Sequence, residues 1–287
     1  MTKKGKKTEH TIQIPKPIIY TGKILQRISP HWATLYAARL FTTPLKFKIP
    51  KREIHMVKKS KKEKLHIEDL NKTITIYHYG NSEKKILLVH GWSGRGTQLV
   101  KIADAFVDLG YQTISFDAPA HGTSTGSTSI MTEFIKSIHL IEKKYGPFEF
   151  AVGHSLGGMS ILNAVRENFK IKKAVIIGSG DIIQDIIDDF ILRMDLNEKV
   201  GIRLKNHFEK KYNEKMEHYA SSVAAREVHI PVLIIHDEND PDVSVKAAYN
   251  INKNLDNSEL VITKGLGHNK ILGDKVIIQK ICDFLLN

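Results

Sequence analysis

The sequence predicts an α/β chain in which a mostly parallel sheet is covered by helices on both faces and carries a small helical cap. Three observations carry that expectation. From about residue 66, short β-rich runs alternate with amphipathic helical patterns, the order in which parallel strands and crossover helices are written. Several runs place apolar residues at consecutive positions, Ile86-Leu87-Leu88-Val89 among them, as a strand buried on both faces requires. About fifty residues of helical, charged sequence separate the run ending near Gly178 from the one starting at Val232, which is long for a loop and reads as an inserted cap at about 180–229.

Taken in order, the strands are expected at His66–Ile67, Ile74–Tyr79, Lys85–His90, Gln112–Asp117, Glu149–Val152, Ala174–Ile177, Val232–His236 and Leu260–Thr263. Gln98–Leu109 gathers Leu99, Ile102, Ala103, Phe106 and Leu109 on one helical face, and Ile130–Tyr145 does the same with Ile130, Phe134, Ile138 and Ile141. Leu156–Asn168 reads as a further helix, opened by glycines. Upstream, Ser29-Pro30 supplies an N-cap and a first-turn proline for a short amphipathic helix that Thr43-Pro44 ends. The chain is thus divided into an extension (1–65) and a main domain (66–287).

The net charge of +12 is unevenly placed. Residues 1–64 hold 17 Lys/Arg against Glu9, Glu53 and Glu63, whereas the remainder holds 26 basic and 28 acidic residues. No apolar run approaches the ~20 residues needed to cross a bilayer, and no secretory leader pattern follows the basic N-terminus, so a cytoplasmic location is expected. The one cysteine, Cys282, lies in an apolar helical pattern and reads as buried.

Chemistry is concentrated in three turns. Gly153-His154-Ser155-Leu156-Gly157 stands between a β-rich run and a helical one, the context a nucleophile elbow requires. A serine hydroxyl needs a histidine to take its proton, and that histidine needs a carboxylate to orient it. In chain order after Ser155 come Asp240, in His236-Asp237-Glu238-Asn239-Asp240, and His268, in Gly265-Leu266-Gly267-His268; each follows a strand. Asp237 and Asp242 compete with Asp240 for the acid role; Asp237 stands close to the strand and Asp242 deeper into the next turn. Two backbone amides are expected to form the oxyanion hole, that of Leu156 after the nucleophile and that of Trp92 in the turn His90-Gly91-Trp92-Ser93-Gly94. His90, His121 and His154 are assigned mainly to packing and hydrogen bonding, and Arg95 is read as a surface residue in preference to a site for a substrate carboxylate or phosphate.

With these stretches the chain resembles the α/β-hydrolase fold family, in particular bacterial serine hydrolases with a short N-terminal extension. Leu87–Trp92, Phe116–Pro119, Gly153–Gly158, His236–Asp240 and Gly265–His268 carry the resemblance. It implies the α/β-hydrolase fold and the roles given to Ser155, Asp240, His268, Trp92 and Leu156, with no cofactor and no metal. It implies no particular substrate, because the fold hosts many chemistries. One departure is Ala120, where the family's Asp-x-x-Gly-His-Gly stretch usually has glycine. The expected activity is hydrolysis of an ester or related acyl bond of a small molecule through an acyl-Ser155 intermediate. Alternatives are a peptidase or C–C bond hydrolase of this fold and a non-catalytic binding protein. No motif for specific nucleic-acid recognition is present, and the basic extension is a candidate for peripheral contact with an anionic membrane.

Overall fold

The computed structural model describes residue 10 and residues 13–287. The lysine-rich start, Met1 to Lys7, lies outside the described residues. Eight strands form one sheet: β1 (Lys61–Ile67), β2 (Lys72–Tyr79), β3 (Lys85–Val89), β4 (Gln112–Asp117), β5 (Phe150–His154), β6 (Lys173–Ile177), β7 (Val232–Asp237) and β8 (Ser258–Thr263). Their spatial order is β1-β2-β4-β3-β5-β6-β7-β8. β1, β2 and β4 pair antiparallel, and every pair from β4 through β3 to β8 is parallel.

The helices are α1 (Lys16–Ile28), α2 (Pro30–Phe41), α3 (Ile54–Lys59), α4 (Val100–Asp108), α5 (Met131–Tyr145), α6 (Leu156–Arg166), α7 (Ile183–Arg193), α8 (Glu198–Tyr212), α9 (Ser221–Ala225), α10 (Lys246–Asn254), α11 (Gly267–Lys270) and α12 (Lys275–Leu286). Two apolar layers flank the sheet. On one side Leu87, Val89 and Ile176 meet Phe134, Ile138 and Ile161; on the other Ile86, Leu88 and Val152 meet Ile102, Phe106 and Ile281. Such two-sided burial is why these strands carry apolar residues without alternation. Cys282 is buried in the second layer, beside Ile281 and Leu285.

The extension departs most from its expected form. The boundary at 65/66 falls inside β1, whose lysine-rich start, Lys61-Lys62-Glu63-Lys64, masks it in the sequence. These charges are mostly exposed and mark β1 as an edge strand, protected by lysine from pairing with another chain. In place of one short helix the described residues of the extension form three, and α1 and α2 form a hairpin around Ser29, whose hydroxyl caps α2. The hairpin packs on the inserted helices. Ala33, Ala37 and Ala38 of α2 are buried with Ile187 and Ile191 of α7, Val200, Leu204 and Phe208 of α8, and Met159 of α6. Small residues four apart on α2 let its backbone approach α8. The roof over the sheet is therefore made jointly by the extension and by α7–α8, while α9 returns to the body with Ala224 and Ala225 in its core.

Candidate functional site

The strand order reverses at β3, which lies between β4 and β5, and the carboxyl ends flanking such a reversal are where open α/β sheets bind ligands. Val89 pairs with Gly153, so the turn after β3 and the turn after β5 emerge side by side. Ser155 sits at the second of these with φ 53° and ψ −120°, a strained conformation that lifts its side chain clear of the strand before α6 begins. Its amide donates to the Ile177 carbonyl at 2.9 Å, which ties the elbow to β6. A side chain at Gly157 would collide with the Val89 and His90 carbonyls, so glycine is required there for the two turns to approach.

The carboxylate that meets His268 is that of Asp240, at 2.7 Å from Nδ1. The Asp240 side chain is 1% exposed and its other oxygen accepts the amides of Asp242 (2.8 Å) and Val243 (2.9 Å). Asp237 does something else. It is buried at the end of β7, where it accepts from Thr263 Oγ1 at 2.7 Å and from the Asn239, Gly265 and Leu266 amides, stapling the loop that carries Asp240 to the loop that carries His268. Burial alone would raise its carboxyl, yet these donated hydrogen bonds hold it below the ordinary value. Asp242 turns its carboxylate towards His10, 3.4 Å away.

Four buried histidines surround the site. His154 donates from Nε2 to the His268 carbonyl at 2.9 Å, and the two rings lie 4.5 Å apart. Burial holds His154 neutral, far below its ordinary pKa. His236, also kept neutral by burial, donates to the Val243 carbonyl at 3.0 Å and stands 3.6 Å from Asp240 Oδ2. His90, lowered by burial to about 4, donates from Nδ1 to the Gly91 carbonyl and accepts the Ala118 amide at Nε2, so it fixes the turn after β3 against the end of β4. His121 is lowered by burial to about 3; its ring packs edge-on against the Trp92 indole.

In the turn after β3, Gly94 donates back to the Gly91 carbonyl and Ser93 adopts φ 56°. Among the described residues no acceptor takes the Trp92 or Leu156 amide hydrogen. Ser155, Leu156, Trp92, Asp240 and His268 all line one cavity of about 1790 Å³. Its walls come from three parts of the chain: Met159 from the body, Ile183 and Phe190 from the insertion, and Ile18, Leu40 and Phe41 from the extension.

Several residues beyond those expected matter. Gly178, just past β6 with φ 56°, lies under the Asp–His pair; an added Cβ would stand 3.2 Å from His268 Nδ1 and 3.4 Å from Asp240 Oδ2. Its place at the end of a parallel strand was the available signal. Glu53 gave no signal at all. It is 2% exposed, accepts the Thr97 hydroxyl at 2.7 Å and faces Arg95 at 3.7 Å. Arg95 is accordingly not a surface arginine but the half-buried partner of Glu53, and desolvation raises the Glu53 carboxyl despite Thr97 and Arg95. Ser93 Oγ accepts the Leu45 amide at 3.0 Å. The extension thus holds the turn after β3 at both ends. Asp240, Asp242 and His268 can present three metal-ligand atoms within 4.8 Å of one another, but the hydrogen bonds above already engage both Asp240 oxygens.

Two family models match the chain, one described as the alpha/beta hydrolase fold over residues 84–193 and one described as TAP-like protein over 211–287. No curated protein matches it. Among solved structures, an esterase from Pyrococcus furiosus superposes with a TM-score of 0.64 at 16% identity, covering 85% of this chain and 97% of that one. A bromoperoxidase from Bacillus anthracis gives 0.60 at 18% identity, covering 79% and 99%, and an esterase from Rhodococcus sp. ECU1013 gives 0.60 at 17%, covering 80% and 99%. With the elbow after β5, the strand order and both family models in agreement, the chain has the α/β-hydrolase fold.

Proposed function

We propose that this chain is a serine hydrolase that cleaves an ester or related acyl bond through an acyl-Ser155 intermediate. The observation that carries the reading is the Asp240–His268 hydrogen bond of 2.7 Å lining the same cavity as a serine held at φ 53°. With Nδ1 bound to the carboxylate, His268 keeps its proton there and leaves Nε2 as the base. In this reading Nε2 takes the Ser155 proton as Oγ attacks the acyl carbon, and the oxyanion that forms is met by the Leu156 and Trp92 amides. The imidazolium, stabilised by Asp240, then protonates the departing alkoxide. Water attacks the acyl-serine with His268 again as base, and the second collapse returns the proton to Ser155. Each step uses the chain's own groups and water.

The esterase likeness of two superposed structures agrees with this reading, and the large, mostly apolar cavity suits an acyl chain better than a peptide, whose backbone would need partners along its length. Hydrolysis of p-nitrophenyl esters from acetate to palmitate, with fluorophosphonate labelling in parallel, tests it. Turnover and labelling are expected in the wild type, and Ser155→Ala should lose the label and at least ~10⁴-fold in kcat. A wild-type protein that neither labels nor turns over any ester would sink the proposal and favour a binding role for the cavity.

A further inference from the structure

We infer that the segment 45–52 at the mouth of the cavity is a docking surface for an anionic lipid bilayer. The segment is anchored at both ends and projects between them. Leu45 is fixed through its amide to Ser93 Oγ, and Glu53 through its buried carboxylate to Thr97. Every residue from 45 to 49 is exposed and lies outside any helix or strand. Leu45, Phe47 and Ile49 are 41%, 53% and 44% exposed, and Leu45 and Phe47 also line the cavity. Three large apolar side chains at a cavity rim carry a cost in water that only a covering surface removes.

Charge selects the kind of surface. Lys46, Lys48, Lys51 and Arg52 are exposed among these apolar side chains, and the nearest acid, Glu53, is buried and faces Arg52 at 3.6 Å. Apolar groups interleaved with cations match a bilayer whose headgroups are negative and whose interior is apolar, whereas a protein partner would need an acidic surface with apolar pits at this spacing. Docking through 45–52 turns the cavity mouth to the lipid, so that an amphiphilic ester would enter without crossing water; that corollary rests on the proposed hydrolase reading, while the docking does not.

The experiment is co-sedimentation of the full chain, carrying Ser155→Ala so that no lipid is consumed, with vesicles of phosphatidylcholine alone or with added phosphatidylglycerol. Binding is expected to the anionic vesicles only and to fall as salt rises. Lys46→Gln with Lys51→Gln should weaken partitioning roughly twentyfold, and Phe47→Ser with Ile49→Ser should weaken it roughly tenfold or more. Ile24→Ser with Ile28→Ser, which changes an exposed pair on α1 outside the segment, should leave binding within roughly threefold. Three results overturn the inference: equal binding to uncharged vesicles, loss of binding in the α1 pair but not in the segment, and loss only on deleting residues 1–9. Concentration-dependent dimerisation abolished by Phe47→Ser, without vesicle binding, would assign the surface to a second copy of the chain. A protein that fails the ester assay yet sediments as expected keeps the docking surface and loses the hydrolase reading.

Discussion

The sheet and the roof above it are built from the same kinds of residue, yet they differ in what covers what. A central strand such as β3 buries Ile86, Leu87, Leu88 and Val89 completely, because helices lie on both faces of the sheet. The helix α2 buries Ala33, Ala37 and Ala38 but leaves Trp32 59% exposed, and α1 exposes Tyr20, Ile24 and Ile28. The body hides large side chains, and the extension's helices α1 and α2 hide small ones while showing large ones to solvent. Large buried side chains give a strand a fold that its own sequence announces. Small buried side chains give a helix a partner that only the partner's surface defines.

The sharpest way to break this contrast is to treat the extension as an appendage. If it were one, a charge placed on its inner face would cost the body nothing. Ala37 is fully buried in the seam with α7 and α8, so Ala37→Asp leaves an unpaired carboxylate there at about 3–5 kcal/mol. Chemical denaturation followed by fluorescence is expected to show that loss. Because Leu40 and Phe41 of the same helix line the cavity, turnover of long-chain p-nitrophenyl esters should fall with it. Unchanged stability would mean that α2 is not part of the folded unit.

This contrast also explains what was legible. The strands β2 to β8 were each placed within a few residues, because consecutive or alternating apolar residues are a property of the strand itself. The first turn of β1 was not, since its lysines serve the sheet edge. The helix α1 was missed because its Tyr20-Ile24-Ile28 stripe faces outwards, and the cue that binds it to the roof, Gly22 against Leu196 and Met194, lies in sequence 170 residues away. At the site, Ser155, Asp240 and His268 were legible because each follows a strand in an order fixed by topology. Glu53 was not, and for His154 a hydrogen-bonding role was expected but not its partner. Their roles are to hold the turn after β3 and the His268 carbonyl, and those contacts arise only when distant segments fold together.

A second test lies within the body. Asp237 was weighed as the acid and instead joins two loops. Its folded-state carboxyl is held below the ordinary value of 3.8, so the stability it contributes is fully present above that pH and is lost as pH falls through the lower, folded value. Asp237→Asn keeps the shape but forfeits the ionised acceptor, at about 1.5–3 kcal/mol near neutral pH. Unfolding free energies of wild type and variant should converge as the pH drops below 3.8. A constant gap between the two down to acid pH would show that the carboxylate's charge is not what the loops depend on. Since Asp240 and His268 ride on those loops, kcat should fall in the variant more than KM rises.

The smallest effect is expected where the sequence itself raised an irregularity. Ala120 stands where related sequences carry glycine, and the structure places it at φ 65°, buried, with its amide donating to the Thr125 carbonyl at 2.9 Å. An L side chain in this left-handed region costs about 1–2 kcal/mol, while glycine in its place loses about 0.4–1 kcal/mol through the greater freedom of the unfolded chain. Ala120→Gly should therefore stabilise by up to about 1 kcal/mol, provided the vacated methyl leaves no cavity of consequence. The turn ends at His121, which packs against Trp92, so any relaxation is felt at the amide proposed for the oxyanion. A stabilised variant with unchanged kcat means that the strain is only tolerated. A stabilised variant with reduced kcat means that the strained alanine holds His121, and through it Trp92, in the position that turnover requires.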